Sequence, residues 1–332
     1  MLEDKSTSSA TLAGTSLHNE LTPVRVIEIQ PASMDIWDKK YRLKDHLGNP
    51  VDADIDASYS RVARALADVE TDDRELHYQD FLWALQNGAI PAGRIMSNAG
   101  AWDYKPKTSL INCTVSDTIP DSMVGILEKV VEAGVTLKSG SGIGYDFSTL
   151  RPSGAFVAGA GASTSGPLSF MSVYDKVCST VSSAGGRRGA QMATFDVSHP
   201  DVVQFIKAKR EDGVLRQFNL SLLITEEFIS AVKSDSKWPL AFPVMASELA
   251  QVNLDDPEQV IWREWPNREE GYTVNEAGLV ACRIYRHVNA SALWDVIMKS
   301  TYDFAEPGFI LIDRVNDLNN AWFAENIRAT NP

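Results

Sequence analysis

Ten of the chain's 21 glycines fall between Lys138 and Thr194, and that concentration limits the possible fold more than any other feature. Glycine is costly inside regular elements and useful where backbone must take positive φ or approach a ligand closely. The stretch reads KSGSGIGYDFSTLRPSGAFVAGAGASTSGPLSF, then MSVYDKVCSTVSS, then AGGRRGAQMAT. Two glycine-rich loops are therefore expected to flank one helix, Leu168 to Ser182. Basic residues sit among the glycines, Lys138 and Arg151 in the first loop and Arg187 and Arg188 in the second. Backbone N–H groups beside Lys or Arg make a seat for phosphate oxygens. The alternative for any glycine-rich loop is a flexible surface connection. Two around one helix, both basic in an acidic chain, favour nucleotide handling.

The totals bound what such a region can belong to. A chain of 332 residues is long enough for two domains. Its net charge of −13 argues against gripping nucleic acid, which needs a basic face, so an anionic ligand must be held by local basic loops. No apolar run approaches the ~20 residues of a membrane span. The first residues, MLEDKSTSSATLAG, lack the apolar core of a signal peptide and read as a polar tail. Cys113, Cys178 and Cys282 are far apart, with no CxxC and no histidine at metal spacing. That pattern excludes a disulfide scaffold or a zinc site built within the chain and points to the reducing cytoplasm.

Periodicity divides the chain into a tail (1–22), a helical domain (23–90) and an α/β region (91–332). Val24 to Gln30 alternates like a short strand. YSRVARALADVE puts Val62, Ala63, Leu66 and Val69 on one helical face, and HYQDFLWALQNGA is a second helix ending at Gly88. PAGRIMSNAG reads as a loop offering Arg94, Ser97 and Asn98. SLINCTV is a β-like run in which Cys113, on chemistry alone, is a small core hydrophobe. Asp121 and Ser122 are N-caps for a helix to Lys138, with Met123, Ile126, Leu127, Val130 and Val131 expected on its buried side. His199-Pro200 starts a helix carrying Val202, Val203, Phe205 and Ile206, with His199 as a capping or packing residue. The strand FNLSLLIT and helix EEFISAVKSD continue a parallel α/β rhythm. Residues 234–290 break it as an antiparallel excursion; SALWDVIMKSTYDFAEPG is then a helix and FILIDRVND a strand.

Taken in order, PAGRIMSNAG, KSGSGIGYDFSTLRPSG, SAGGRRGAQMATFDVSHPDV and FNLSLLITEEF resemble the large catalytic chain of ribonucleotide reductase. The resemblance covers nearly all of Pro91 to Pro332 and is nearest the adenosylcobalamin-dependent (class II) branch. It implies a helical N-terminal domain followed by the first half of a ten-stranded α/β barrel. It implies an oxidoreductase that makes deoxyribonucleotides by a thiyl-radical mechanism, with a ribonucleoside diphosphate as substrate. It further implies adenosylcobalamin, a thioredoxin-type reductant, a homodimer, and a dNTP or ATP effector with or without Mg²⁺. No ATP-cone segment is recognisable.

Position by position, the resemblance makes Cys113 the first of a redox cysteine pair, which reverses its core reading. It implies substrate contacts at Gly93, Ser97, Asn98 and Asn112. The effector site would use Asp121, Ser122, Met123, Lys138, Arg151, Ala158 and Gly159. Gly185, Gly186, Arg187, Arg188, Gly189, Ala190 and Gln191 match the loop that relays effector identity to the substrate site. Asn331 matches the Asn of an Asn-x-Cys-x-Glu arrangement, and the sequence ends at Pro332. The radical cysteine, the catalytic glutamate and the second reducing cysteine are expected on a C-terminal half, encoded by a split, intein-interrupted or truncated gene. Cys178 and Cys282 are not expected to replace them, and no residue is expected to hold a metal. Two other readings remain open: an iron-dependent (class I) large subunit, and a stand-alone nucleotide-binding regulatory module.

Overall fold

The computed structural model describes residues 28–106, 108–157, 159–181, 189–210, 213–245, 248–266 and 271–332. The tail and most of the expected strand at Val24 to Gln30 lie outside these residues. The chain forms two compact units that divide at Asn112 and Cys113.

The first unit is helical: α1 (Pro31–Ile36), a π turn (Trp37–Tyr41), α2 (Ile55–Ala67), α3 (Arg74–Gln86) and α4 (Gly93–Asn98). Asp54 caps α2 by accepting the Ala57 N–H at 2.8 Å. Val62 and Ala63 face a core completed by Leu85, Met96 and Ala99, whereas Val69 lies past the end of α2 and is exposed. PAGRIMSNAG is not a loop. Its centre is the short helix α4, and the unit extends beyond residue 90 because a buried ion pair draws that segment in. Arg61 grips Asp52 at 2.8 Å and 3.0 Å and donates to the Met96 carbonyl at 3.0 Å and the Ala99 carbonyl.

The second unit is built on a five-stranded parallel sheet ordered β1-β2-β5-β6-β10. Its strands are β1 (Cys113–Val115), β2 (Gly142–Asp146), β5 (Gln191–Asp196), β6 (Phe218–Ile224) and β10 (Gly308–Leu311). Helices α5 (Met123–Ser139), α6 (Pro167–Thr180), α7 (Val202–Lys207), α8 (Glu226–Lys233) and α9 (Ala290–Phe304) occupy the connections. Between β2 and α6 lies a small hairpin of β3 (Phe156–Val157) and β4 (Ala162–Ser163). The expected excursion is an antiparallel sheet, β7 (Lys237–Pro243), β9 (Val280–Asn289) and β8 (Val260–Arg263), in that order. FILIDRVND divides into β10 and a helix, α10 (Ile312–Asp317), rather than forming one strand.

Strand alternation gives the parallel sheet two different faces. Ile143 and Tyr145 of β2, Ala193 and Phe195 of β5, and Leu220 and Leu222 of β6 join the helices in one core. Tyr145, Phe147, Tyr174 and Phe218 meet there edge-on or tilted, with centroids 5.1–6.4 Å apart. The in-register partners across the opposite face are Cys113 with Gly142, Val115 with Gly144, and Asp146 with Thr194. That face carries no aromatic residue among these pairs: Gly142, Gly144, Asp146 and Thr194 lie beside Cys113, Val115 and Met192.

Helix α5 departs from expectation. Ile126 is buried, with Gly125, Ala133 and Leu137, but Met123, Leu127 and Val131 are exposed together with Val124 and Val135. The buried stripe includes glycine and alanine because α5 packs closely: a Cβ on Gly125 would lie 2.6 Å from Pro120.

The aromatic cluster gives a stability prediction. Phe147→Ala should cost about 3–5 kcal/mol, read as a lower urea midpoint. Tyr302→Ser, on the exposed side of α9, should change stability by no more than about 0.5 kcal/mol.

Candidate functional site

The glycines of GIGYD lie within strand β2, not in a phosphate-binding loop. They alternate with Ile143 and Tyr145, so both glycines fall on the face away from the aromatic core. The vacant space there is filled by protein. A Cβ on Gly144 would overlap the Thr330 carbonyl oxygen, and one on Gly142 would come within 2.7 Å of Pro332. Residues 328–332 therefore run along β2 in the direction opposite to the strand, from Asp146 back towards Gly142.

Three contacts hold that strap. Arg328 Nε donates to Asp146 Oδ2 at 2.8 Å, and Thr194 Oγ1 donates to the Arg328 carbonyl at 2.9 Å. At the other end the Cys113 thiol lies 3.7 Å from the Pro332 carbonyl oxygen. Before the strap, Asn316 of α10 accepts the Ile327 N–H at 2.7 Å and donates to its carbonyl at 3.0 Å. Cys113 and the residue after Asn331, far apart in sequence, thus meet on one sheet face. Arg328 is held protonated despite burial by Asp146 and Asp196.

Asp146 and Asp196 end neighbouring strands in matching turns, Asp-Phe-Ser and Asp-Val-Ser. Ser148 donates to Asp146 Oδ1 from both N–H and hydroxyl, and Ser198 does the same for Asp196 Oδ1. Beside them a cavity of about 970 Å³ opens, walled by Asp117, Glu264, Trp265, Glu325, Arg328 and Asn331. Its volume and mixed polar wall suit a polar ligand of nucleotide size. Asp146, Thr194 and Arg328 were not singled out from sequence. The signal was the alternation Gly-x-Gly-x-Asp, which marks one strand face kept clear for another backbone.

The expected effector residues only partly assemble. Asp121, Ser122, Met123 and Arg151 meet at the start of α5. There Ser122 caps the helix by accepting the Gly125 N–H at 3.1 Å, and Met123 is exposed. Arg151 is already engaged: Nε donates to Asp121 Oδ2 at 2.8 Å, and its Nη atoms donate to the Asp121 and Phe156 carbonyls. Gly159 follows Phe156–Val157 on the β3–β4 hairpin. Lys138 does not join them, because it sits at the far end of the 17-residue α5, roughly 25 Å away at 1.5 Å per residue. Gln191 is a core residue of β5, not a loop residue: it accepts from the Tyr145 hydroxyl and donates to the Tyr174 carbonyl, both at 3.2 Å. Gly189 packs against Cys178 and Leu137, and the Ala190 carbonyl accepts the Ile143 N–H at 3.2 Å. Ala158, Gly185, Gly186, Arg187 and Arg188 lie outside the described residues.

The expected substrate residues Gly93, Ser97, Asn98 and Asn112 belong to the first unit. Asn98 is buried and donates to the Ser109 carbonyl at 3.0 Å, and the Ser97 carbonyl accepts from Lys105 at 3.1 Å. Arg94 is buried as well. Cys178 and Cys282 sit in cores where burial pushes their thiols up to about 11 and about 12. Cys113 is half-buried, and the described residues hold no cluster that could bind a metal. No described helix is long and apolar enough to cross a membrane.

Known proteins are similar to this chain in sequence. Residues 28–102 match the all-alpha domain of ribonucleotide reductase, and residues 111–332 match its barrel domain. The chain belongs to the ribonucleotide reductase large-chain family. A vitamin B12-dependent ribonucleoside-diphosphate reductase of Mycobacterium tuberculosis (strain CDC 1551 / Oshkosh) is 30% identical over 311 residues, 92% of this chain and 39% of that protein. One from Thermoplasma acidophilum is 28% identical over 73% of this chain and 26% of its own length. The ribonucleoside-diphosphate reductase subunit alpha of Helicobacter pylori (strain ATCC 700392 / 26695) is 24% identical over 95% of this chain and 38% of its own length. The chain thus spans about two fifths or less of the length of these relatives.

His199 is fully enclosed near this site and fills the packing role expected of it. Its Nδ1 accepts the Asp201 N–H at 3.0 Å, so Nε2 carries the proton that meets the Leu150 carbonyl at 2.9 Å. Burial lowers its pKa, opposed by that carbonyl and by Asp201, Asp196 and Asp146. Below pH ~6.5 the unfolded chain binds a proton that the folded chain refuses, so stability falls as pH drops. His199→Gln should remove up to ~1.4 kcal/mol per pH unit of that loss between pH 6.5 and 5, measured by urea unfolding across pH.

Proposed function

We propose that this chain supplies the N-terminal part of the catalytic barrel of a ribonucleoside-diphosphate reductase that works by a thiyl-radical route. The observation that carries the reading is the strap of residues 328–332, which crosses β2 to end against the Cys113 thiol of β1 while Asn331 lines a polar cavity. Cys113 is one of two thiols whose oxidation to a disulfide releases two protons and two electrons, enough to replace a ribose hydroxyl with hydrogen. A C-terminal half provides the other thiol, the radical cysteine and the general base. A thioredoxin-type protein then re-reduces the pair.

The B12-dependent relatives favour adenosylcobalamin as the radical source over the iron-dependent alternative. The described residues do not fit a corrin, because the cavity wall is acidic and polar and carries no histidine. A deoxynucleoside triphosphate at Asp121, Ser122 and Arg151 would select the substrate base, with Arg151 exchanging the Asp121 carboxylate for phosphate. A homodimer fits the bare apolar stripe of α5. Met123, Leu127, Val131 and Val135 recur every fourth residue and are symmetric about Lys129, so two antiparallel copies would match Met123 with Val135 and Leu127 with Val131.

Mixing the chain with a C-terminal reductase half should restore reduction of a ribonucleoside diphosphate only when adenosylcobalamin is added, and Cys113→Ser should abolish turnover with the protein reductant. Turnover driven by an iron-containing small subunit instead would assign the other class. Calorimetry should show dTTP or dATP binding to the chain alone that is lost in Arg151→Ala. Leu127→Asp/Val131→Asp should convert a dimer to a monomer in sedimentation without altering the far-UV circular dichroism.

A further inference from the structure

Arg328 has no part in the chemistry above, yet it is the most heavily engaged residue of the strap. Its guanidinium meets Asp146 at 2.8 Å, its carbonyl takes the Thr194 hydroxyl at 2.9 Å, and Asp196 adds a second negative charge to its surroundings. Asp146 is itself buried at 2% exposure while Arg328 keeps 21%, so the pair is enclosed on its carboxylate side and borders the cavity on its guanidinium side. Such a pair is weak evidence for stability and better evidence for a fixed geometry, since removing one partner strands the other.

What it fixes can be followed along the chain. Asn316 sets where Ile327 enters, Arg328 is clamped at the end of β2, Thr330 lies over Gly144, and Pro332 reaches Cys113. A strand residue rises about 3.3 Å, so Asp146 and Gly142 are roughly 13 Å apart, and residues 328–332 span the same distance when extended. One clamp therefore sets the register of the whole strap. A slip of one residue would carry Asn331 and its neighbours away from the thiol.

We propose that Arg328, seated on Asp146, is the positioning residue that holds residues 329–332 in register against the side-chain-free face of β2 and thereby places Asn331 and covers Cys113. The inference rests on the reductase reading for its functional meaning, but it concerns contacts within this chain and is testable without turnover. Gly144 has an equal share, because any side chain there would lift Thr330 from the strand.

The test is the alkylation rate of Cys113 by iodoacetamide in the full 332-residue chain, followed by peptide mass spectrometry, with Cys178 and Cys282 as buried internal standards. Arg328→Met, Asp146→Asn and Gly144→Ala should each speed Cys113 alkylation by about tenfold while the two buried cysteines keep their rates. Arg328→Lys, which keeps the charge, should stay within about twofold of the parent chain. Gly144→Ala leaves the ion pair in place, so it tests the strap even where loss of a buried charge partner unfolds the other variants. An unchanged Cys113 rate in Gly144→Ala, or an equal rise at Cys178 in every variant, would overturn the proposal. A positive result with no activity on reconstitution would leave the clamp standing and remove only the reductase reading.

Discussion

The site depends on the absence of two side chains. Gly142 and Gly144 leave a track on β2, next to the edge strand of the parallel sheet, and another stretch of backbone lies in it. Any other residue at position 144 would be sterically incompatible with that stretch, whatever its polarity. The glycines cost conformational entropy in a strand, and the neighbouring Ile143 and Tyr145 offset this by full burial in the aromatic core. The same strand thus turns Ile143 and Tyr145 to the core and Gly142 and Gly144 to the strap.

Close approach alone does not hold a strap, and the polar turns after β2 and β5 complete the arrangement. Asp146 and Asp196 would repel each other across adjacent strand ends in a dry environment. Ser148 and Ser198 satisfy one oxygen of each carboxylate, the Ser148 hydroxyl accepts the Asp196 N–H at 2.7 Å, and Arg328 lies where both negative charges act on it. A guanidinium suits this place because it stays charged when desolvated and carries several donors in a plane. Charge, not area, decides where the strap is pinned.

The sequence made much of the fold legible and misplaced part of the site, for reasons that particular residues show. Period-2 apolar runs such as FNLSLLI and the cap at Ser122 produced the α/β rhythm they predict. Helix α5 misled because glycine and alanine form its tightly packed stripe, so the bulky residues taken as core face outward. GIGYD misled in a more useful way. Glycine does report close approach of a partner, but composition cannot say whether the partner is a phosphate or a peptide carbonyl. PAGRIMSNAG has the small residues of a loop, but its helix is held by Arg61, 38 residues from Ala99, a contact no local pattern reveals. Cys113 could be assigned a chemical role only by resemblance, since a lone cysteine on an edge strand is silent by itself.

The corrected geometry also separates two tasks that the sequence had merged into one glycine-rich region. The Arg151–Asp121 pair and the β3–β4 hairpin form one locality at the start of α5, and the Arg328–Asp146 pair forms another on the sheet face. They are joined by β2 and the segment that follows it. Thr149 donates to the Ile119 carbonyl at 2.8 Å, and the Leu150 carbonyl accepts from the neutral ring of His199, which packs on Phe195 of β5. Arg151 and Asp196 are thus joined by packed and hydrogen-bonded groups on two sides, through Leu150 and His199 and through Ser148, whose hydroxyl accepts the Asp196 N–H. That makes His199 more than a filler of space: its fixed tautomer is one of two links between the charged pairs, and an imidazolium there would have to break one of the two hydrogen bonds that define it.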